Sequence, residues 1–121
     1  MNIISRKFHA ILDYLSSIAF LALPWILNFN DLATPTSILF FSGLIVFTLS
    51  ILTNYEGGLF RSIPMAVHLN MDILLGILLI ASPWLFGFSD KVYLPHVIMG
   101  LLALLAGLMT VRRSLNKRAN G

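Results

Sequence analysis

The sequence predicts an all-α membrane protein with four transmembrane helices, arranged as two tandem helical hairpins that repeat in the same orientation. Three observations predict this fold class. The 121 residues are 58% hydrophobic and only 11% charged, whereas soluble domains carry roughly 25% charged residues. The charges are confined to short clusters that separate four long apolar segments. Finally, the two halves of the chain share rare residue types at matching positions.

The four apolar segments are the predicted membrane spans. A bilayer core about 30 Å thick requires roughly 20 mostly apolar residues per helix. Continuous apolar runs favour helices, because a helix in lipid satisfies its own backbone hydrogen bonds. The segments between them contain Asn, Asp, Gly and Pro, which are typical of turns. The predicted spans are residues 8–27, 37–53, 67–86 and 92–111, and the second span could begin one turn earlier, near Pro35.

The basic residues predict the orientation of the chain. Lys and Arg accumulate on the cytoplasmic side of membrane proteins. Seven of the eight basic residues precede the first span, separate the second from the third, or follow the fourth; only Lys91 lies on the other side. We therefore expect both termini in the cytoplasm, in a bacterial cytoplasmic membrane. The tail from Arg112 to Arg118 is expected to rest on lipid headgroups, and nucleic acid is not an expected partner.

The first apolar run could be confused with a cleaved signal peptide, because Arg6 and Lys7 precede it. The run is longer than the apolar region of a signal peptide, and it ends in Pro24-Trp25 without a small-residue cleavage site. We therefore expect this span to be retained.

The chain contains an internal duplication. Residues of the first span recur 59 positions later, and those of the second span recur 57 positions later, so that Gly43 matches Gly100 and Thr53 matches Thr110. Each unit contains two spans, so the copies should be related by a pseudo-two-fold axis along the membrane normal. The predicted repeats are residues 1–60 and residues 61–121, the second with the basic tail. The clearest matches of the first spans are His9 with His68, Asp13 with Asp72, and Pro24-Trp25 with Pro83-Trp84.

The Pro-Trp motifs carry a family resemblance. Ser82-Pro83-Trp84 and the matching Leu23-Pro24-Trp25 resemble the SPW-repeat family of small integral membrane proteins, in which a Ser-Pro-Trp motif lies in the first helix of a two-helix repeat. The first copy departs from the motif at Leu23. The resemblance covers almost the whole chain and implies membrane location and a repeated hairpin, but it implies no established activity.

The same motifs have two interpretations. Each proline removes one backbone donor from its helix, so the carbonyl four residues earlier needs another partner, which Ser82 could supply in the second copy. Trp25 and Trp84 would then belong to an aromatic belt at the membrane surface. Alternatively, the two kinks could enclose a pocket for a lipid or another apolar ligand.

Two His-Asp pairs are the candidate polar site. His9 and Asp13 are four residues apart, as are His68 and Asp72, and this spacing places both side chains on one helix face. Ionisable residues within spans usually face the interior of the bundle. They could lock the two hairpins together, transfer protons, or bind a divalent metal such as zinc. The spacing alone is not a specific metal motif, so no metal is assigned.

The sequence favours a non-enzymatic role. It contains no cysteine, and it has no phosphate-binding loop and no nucleophile–base motif. We expect a membrane interaction or packing module without a cofactor, with the lipid bilayer and a second copy or another membrane protein as partners. Small residues such as Gly76 and Gly100 should allow close helix packing. The alternative is a small transporter or channel subunit that handles protons or ions through the His-Asp pairs; an intramembrane enzyme ranks last.

Overall fold

The computed structural model describes residues 2–115, and these residues form four α-helices. The predicted all-α class is confirmed: apart from two isolated single-residue bridges, the described residues contain no strand. Lys117 and Arg118 of the predicted basic tail lie outside the described residues. The helices are α1 (Arg6–Ile26), α2 (Ala33–Leu52), α3 (Met65–Leu85) and α4 (Leu94–Met109).

Three of the four helices are long and apolar enough to cross a membrane: α1 and α3 have 21 residues each and α2 has 20. The second helix begins four residues earlier than residue 37, because Pro35 lies in its first turn, where a missing N–H costs nothing. The fourth helix has only 16 residues, against the 20 predicted. It begins next to Pro95 and ends where Thr110 adopts an extended conformation, so it rises about 24 Å.

The outer surface of the helices is apolar. Large aliphatic side chains on α1, α3 and α4 are half exposed or more, including Ile18 at 64%, Leu74 at 53% and Ile98 at 57%. Soluble monomers rarely expose continuous apolar surface of this extent. In a bilayer the same surface faces hydrocarbon, so the exposure agrees with a membrane protein.

Glycines allow α3 and α4 of the second hairpin to pack closely against each other. A Cβ atom placed on Gly76 would lie 2.6 Å from the Gly100 carbonyl oxygen, and a Cβ on Gly100 would lie 2.8 Å from the Gly76 carbonyl oxygen. The two backbones therefore touch where neither helix carries a side chain. In the first hairpin, Gly43 packs against Phe20 in a similar way. The closest helix pairs are α1–α2 and α3–α4, while α2–α3 and α1–α4 contact each other more lightly.

Two short backbone pairings join the hairpins at one end of the bundle. Ile4, before α1, pairs with Thr110 after α4, and Ile63, before α3, pairs with Thr53 after α2. The Ile4 amide donates to the Met109 carbonyl at 2.9 Å, and the Ile63 amide donates to the Leu52 carbonyl at 2.8 Å. We call this end, which holds the start of α1, the α2–α3 segment and the end of α4, the terminal end. The opposite end, with the α1–α2 and α3–α4 loops, is the hairpin end.

An ion pair adds to the terminal end. The Arg6 guanidinium donates to both carboxylate oxygens of Glu56 at 3.2 Å and to the Arg113 carbonyl at 3.0 Å. Partial burial would raise the pKa of Glu56, but the hydrogen bonds from Arg6 outweigh it and hold the pKa below its ordinary value. Glu56 is therefore ionised at neutral pH. The contacts tie together the start of α1, the α2–α3 segment and the segment after α4.

At the hairpin end, α1 and α3 finish in the same way. Asn28 and Gly87 adopt positive φ angles of 60° and 75°, a conformation that Gly and Asn tolerate. The following amides, of Phe29 and Phe88, donate back to the carbonyls of Pro24 and Pro83 at 2.8 Å. This arrangement is a Schellman cap, with the phenylalanines buried beneath it.

Ser82 replaces the backbone donor that Pro83 lacks. Its hydroxyl donates to the Leu79 carbonyl at 2.8 Å, the carbonyl that a proline at position 83 leaves without its usual partner. The serine of the motif thus supplies the hydrogen bond that the proline removes from the helix. In the first copy Leu23 occupies this position, and it has no hydroxyl to donate.

Candidate functional site

The structure brings both His-Asp pairs together in the interior, near the terminal end. One ligand-type atom from each of His9, Asp13, His68 and Asp72 lies within 4.8 Å of the other three. We call these four residues the His-Asp cluster. Both histidines are fully buried, and the aspartates are 6% and 4% exposed. The four side chains therefore form one site, contributed equally by α1 and α3.

The contacts within the cluster run both along and between the helices. His9 Nε2 lies 3.2 Å from Asp13 Oδ1 on its own helix and 2.9 Å from Asp72 Oδ2 on α3. His68 Nε2 lies 3.2 Å from Asp72 Oδ2 on its own helix and 3.1 Å from Asp13 Oδ2 on α1. Because α1 and α3 are not among the closest helix pairs, these side chains are a principal link between the two hairpins.

Two threonines fix the orientation of the imidazole rings. The Thr110 hydroxyl donates its proton to the Ala106 carbonyl at 2.6 Å, so its oxygen accepts a hydrogen bond from His9 Nδ1 at 2.7 Å. Thr53 does the same for His68, with its hydroxyl donating to Leu49 and its oxygen 2.7 Å from His68 Nδ1. Each Nδ1 therefore carries a proton. As a result, both Nε2 atoms are left for the interior of the cluster, where carboxylate oxygens lie within 3.2 Å of each.

The backbone pairings at the terminal end place these threonines. Thr110 and Thr53 are the residues that pair with Ile4 and Ile63, directly before the helices that carry the histidines. Sequence analysis matched the two threonines only as repeat equivalents and did not include them in the site. Their position after a span, in both copies, is the signal that could have identified them.

Tyr55 makes the cluster asymmetric. Its hydroxyl donates to Asp13 Oδ2 at 2.6 Å, and its side chain is fully buried. Burial and the nearby Asp13 carboxylate raise the pKa of Tyr55, so the hydroxyl stays protonated and remains a donor. The repeat equivalent of Tyr55 is Arg112, which instead donates to the Ala66 carbonyl. Sequence analysis missed Tyr55 because nothing in the second copy matches it.

The His-Asp cluster needs positive charge to offset the negative charge of its two carboxylates. Two carboxylates facing two imidazole lone pairs would repel one another in an apolar medium. Two protons, one on each Nε2, would convert the imidazoles to imidazolium and make the cluster neutral. One divalent cation bound to neutral imidazoles would give the same net charge. The site can therefore act as an ion-pair lock between the hairpins or as a metal site.

Among the described residues, two cavities border the cluster. One of about 20 Å³, enough for one water molecule, borders Asp13 and Asp72. The other, of about 150 Å³, lies between apolar side chains of α2 and α3 and reaches Asp72. Towards the hairpin end, the next buried residue of α1 is Ser17, whose hydroxyl donates to the Asp13 carbonyl at 2.8 Å. Beyond it, α1 and α3 contribute Phe20 and Leu79, which are 1% exposed and belong to an apolar core. The other residues of that core are Phe29, Leu39, Val46 and Met99.

A larger concave surface lies elsewhere, at the hairpin end. A groove of about 580 Å³ is formed by the α1–α2 and α3–α4 loops, with polar residues such as Asn28, Asp31 and Lys91 along it. The apolar core lies between this groove and the His-Asp cluster. We give the cluster more weight than the groove as a candidate site, because its polar groups are buried and converge on one point.

The residues of the two Pro-Trp motifs belong neither to the His-Asp cluster nor to the groove at the hairpin end. Trp25 and Trp84 are 51% and 58% exposed, and neither lines the groove at the hairpin end. Trp84 contacts Tyr93 with ring centroids 5.9 Å apart. Pro24, Ser82 and Pro83 are buried within their helices. This placement agrees with an aromatic belt better than with a pocket between the kinks.

A third buried histidine lies at the hairpin end. His96 Nε2 donates to the Pro35 carbonyl at 3.0 Å, across from α4 to α2. Its ring packs against Phe29 and Phe88, with centroids 6.1 and 4.9 Å away. No carboxylate takes part in these contacts, so His96 is a suitable control position for experiments on the two histidines of the cluster.

Comparisons with known proteins agree with this architecture. The family model described as the SPW repeat domain matches residues 7–110, which covers all four helices. Neither the curated proteins nor the solved structures yielded a match to the chain. Three of the four described helices are long and apolar enough to cross a membrane, and the fourth is a shorter apolar helix. The chain therefore belongs to the SPW repeat family and is a membrane protein.

Proposed function

We propose that the protein is a non-enzymatic integral membrane module in which the His-Asp cluster fastens two helical hairpins to each other. The observation that carries this proposal is the pair of contacts across the hairpins, His9 Nε2 to Asp72 at 2.9 Å and His68 Nε2 to Asp13 at 3.1 Å. Apolar surface drives helix association only weakly in lipid, so buried polar contacts and close packing must hold the hairpins together.

The proposed partners are the bilayer and other membrane-embedded surfaces. The exposed aliphatic side chains suit lipid or a second protein, and the cavity that borders both aspartates of the cluster holds no more than a water molecule. In this role the protein contributes a rigid, lipid-facing scaffold. A second copy of the chain or another membrane protein would pack on its outer surface.

The alternative role, transport of protons or ions through the cluster, receives less support. A transporter needs a polar path from the cluster to the hairpin end. Along α1 and α3 that direction is occupied by Phe20 and Leu79, both almost fully buried in apolar contacts. Tight apolar packing at this level supports the fastening role instead.

A flux measurement separates the two roles. We expect proteoliposomes that contain the purified protein and a pH-sensitive dye to dissipate an imposed proton gradient no faster than vesicles without protein. An Asp72→Asn variant that remains folded should behave in the same way. A proton flux in the wild type that disappears in Asp72→Asn and persists in Asp90→Asn would contradict the proposal and favour transport.

We further propose that the terminal end faces the cytoplasm, because seven of the eight basic residues lie at that end in the sequence. The chain has no cysteine, so single introduced cysteines report their side without background. A membrane-impermeant maleimide added to intact cells should label Asn30→Cys at the hairpin end and leave Ser62→Cys unlabelled until the cells are opened. The reverse pattern would overturn the orientation.

A further inference from the structure

The atoms that converge in the His-Asp cluster have the spacing of a metal's first coordination shell. The four nitrogen–oxygen distances between the imidazole Nε2 atoms and the carboxylates are 2.9, 3.1, 3.2 and 3.2 Å. Tetrahedral zinc with bonds of about 2.0–2.2 Å holds neighbouring ligand atoms about 3.4 Å apart. The nitrogen–oxygen contacts are therefore close to that spacing, and the wider pairs among the four ligand atoms, which all lie within 4.8 Å of one another, would draw together around such an ion.

The second observation is a buried nitrogen without a partner. His68 Nε2 is inaccessible and has no hydrogen-bond partner within residues 2–115. Yet two carboxylate oxygens lie 3.1 and 3.2 Å away. The distances are short enough for hydrogen bonds, but the directions are not those of a donated N–H. A buried polar atom of this kind calls for an explanation, and a cation shared by the nitrogen and both oxygens supplies one.

The surroundings of the cluster resemble the outer shell of metal sites. A histidine ligand commonly donates its other ring N–H to an oxygen, which fixes the tautomer and aims the free nitrogen at the metal. Thr110 and Thr53 perform this task for His9 and His68 at 2.7 Å. Tyr55 likewise holds the Asp13 carboxylate through its hydroxyl. Three of the four ligand side chains are thus oriented by neighbours outside the cluster.

Charge decides which ions suit the site. Two carboxylates with two neutral imidazoles carry a net charge of about −2, which a divalent cation neutralises within the apolar interior. Imidazole suits zinc and related transition metals, whereas magnesium and calcium prefer sites made only of oxygen. We propose that His9, Asp13, His68 and Asp72 bind one divalent cation of the zinc type. The inference rests on the proposed role of the cluster as the fastener, and it names the ion that completes it.

Metal content and metal spectroscopy test this inference on the intact protein in detergent. After treatment with a chelator, the protein should take up about one equivalent of Zn²⁺ per chain, as expected for a single four-ligand site. It should also bind Co²⁺ with the visible absorption of a tetrahedral complex. His68→Gln should abolish both signals. His96→Gln, which changes an equally buried histidine outside the cluster, should leave both unchanged.

A milder substitution, which leaves all four metal ligands in place, separates a loss of metal binding from a loss of folding. Thr53→Val removes the oxygen that orients His68 and should weaken zinc binding by about 10–100-fold, while Thr48→Val on the exposed side of the preceding helix α2 should not alter it. Failure of the chelator-treated wild type to bind zinc, or equal binding by His68→Gln, would overturn the inference.

The same measurements distinguish this inference from the proposed fastening role. If the wild type binds no zinc but Asp72→Asn still lowers the stability of metal-free protein, the metal site is wrong and the fastening role stands. If zinc binds but Asp72→Asn leaves metal-free stability unchanged, the metal site stands and the fastening role is wrong.

Discussion

Replacing Asp72 by asparagine is expected to lower the free energy of unfolding by about 3 kcal/mol, as for other broken buried ion pairs. A single oxygen of this residue, Asp72 Oδ2, contacts both histidines, at 2.9 Å from His9 Nε2 and 3.2 Å from His68 Nε2. Asparagine keeps the size of the side chain and removes its charge. The imidazole of His9 would then lose its partner on the other hairpin, in an interior without water to replace it.

The measurement is reversible unfolding in mixed micelles, carried out on chelator-treated protein so that metal binding does not contribute. Asp90→Asn is the matched control, because Asp90 is an exposed aspartate in the α3–α4 loop. Its effect should stay within about 0.5 kcal/mol. Equal losses from Asp72→Asn and Asp90→Asn would show that burial of the carboxylate in the cluster does not matter for stability.

Replacing Gly76 by leucine is expected to destabilise the second hairpin by about 3 kcal/mol or more, at the upper end of the cost of overpacking. Even a single Cβ there would lie 2.6 Å from the Gly100 carbonyl oxygen and 2.7 Å from the Leu104 amide nitrogen. Both atoms belong to the backbone of α4, so no change of rotamer can relieve the overlap. The helices would have to separate along their contact.

Ala81→Leu is the control for this variant. Ala81 lies on the same helix but is exposed, so a leucine there should be accommodated by lipid or detergent with little change in stability. The comparison uses the same unfolding assay. A Gly76→Leu protein as stable as Ala81→Leu would mean that α3 and α4 do not approach each other as closely as the structure shows.

Much of the fold could be predicted because it follows from hydropathy and turn residues. The apolar runs of α1 and α3 are bounded by charges and turn signals, and their observed ends lie within two residues of the predicted ones. The ends of α4 also lie within two residues of the predicted ones, and only the start of α2 differs more, at Ala33 instead of residue 37. An earlier start near Pro35 is the alternative that the sequence allows, since a proline in the first turn of a helix is tolerated. The late start and early end of α4 depend on Pro95 and on the pairing of Thr110 with Ile4.

The residues of the candidate site, too, could be predicted from the sequence only in part. His9 and Asp13 stand out from sequence because ionisable residues are costly within a span, and duplication supplies their counterparts His68 and Asp72. Thr53 and Thr110 do not stand out, since a threonine at a helix end is common and its partner is set by tertiary packing. Tyr55 lies in the α2–α3 segment, and only the folded chain brings its hydroxyl 2.6 Å from Asp13.

The central claim is that the two hairpins are coupled energetically through the buried imidazole–carboxylate contacts. A double-mutant cycle with His9→Leu and Asp72→Leu, measured by reversible unfolding of the metal-free protein, tests it most directly. We predict that the two single losses overlap, so that the double variant is more stable than their sum implies by about 2 kcal/mol, as found for residues in direct contact. Single losses that add to within about 0.5 kcal/mol would show that the two residues act independently, and would contradict the claim.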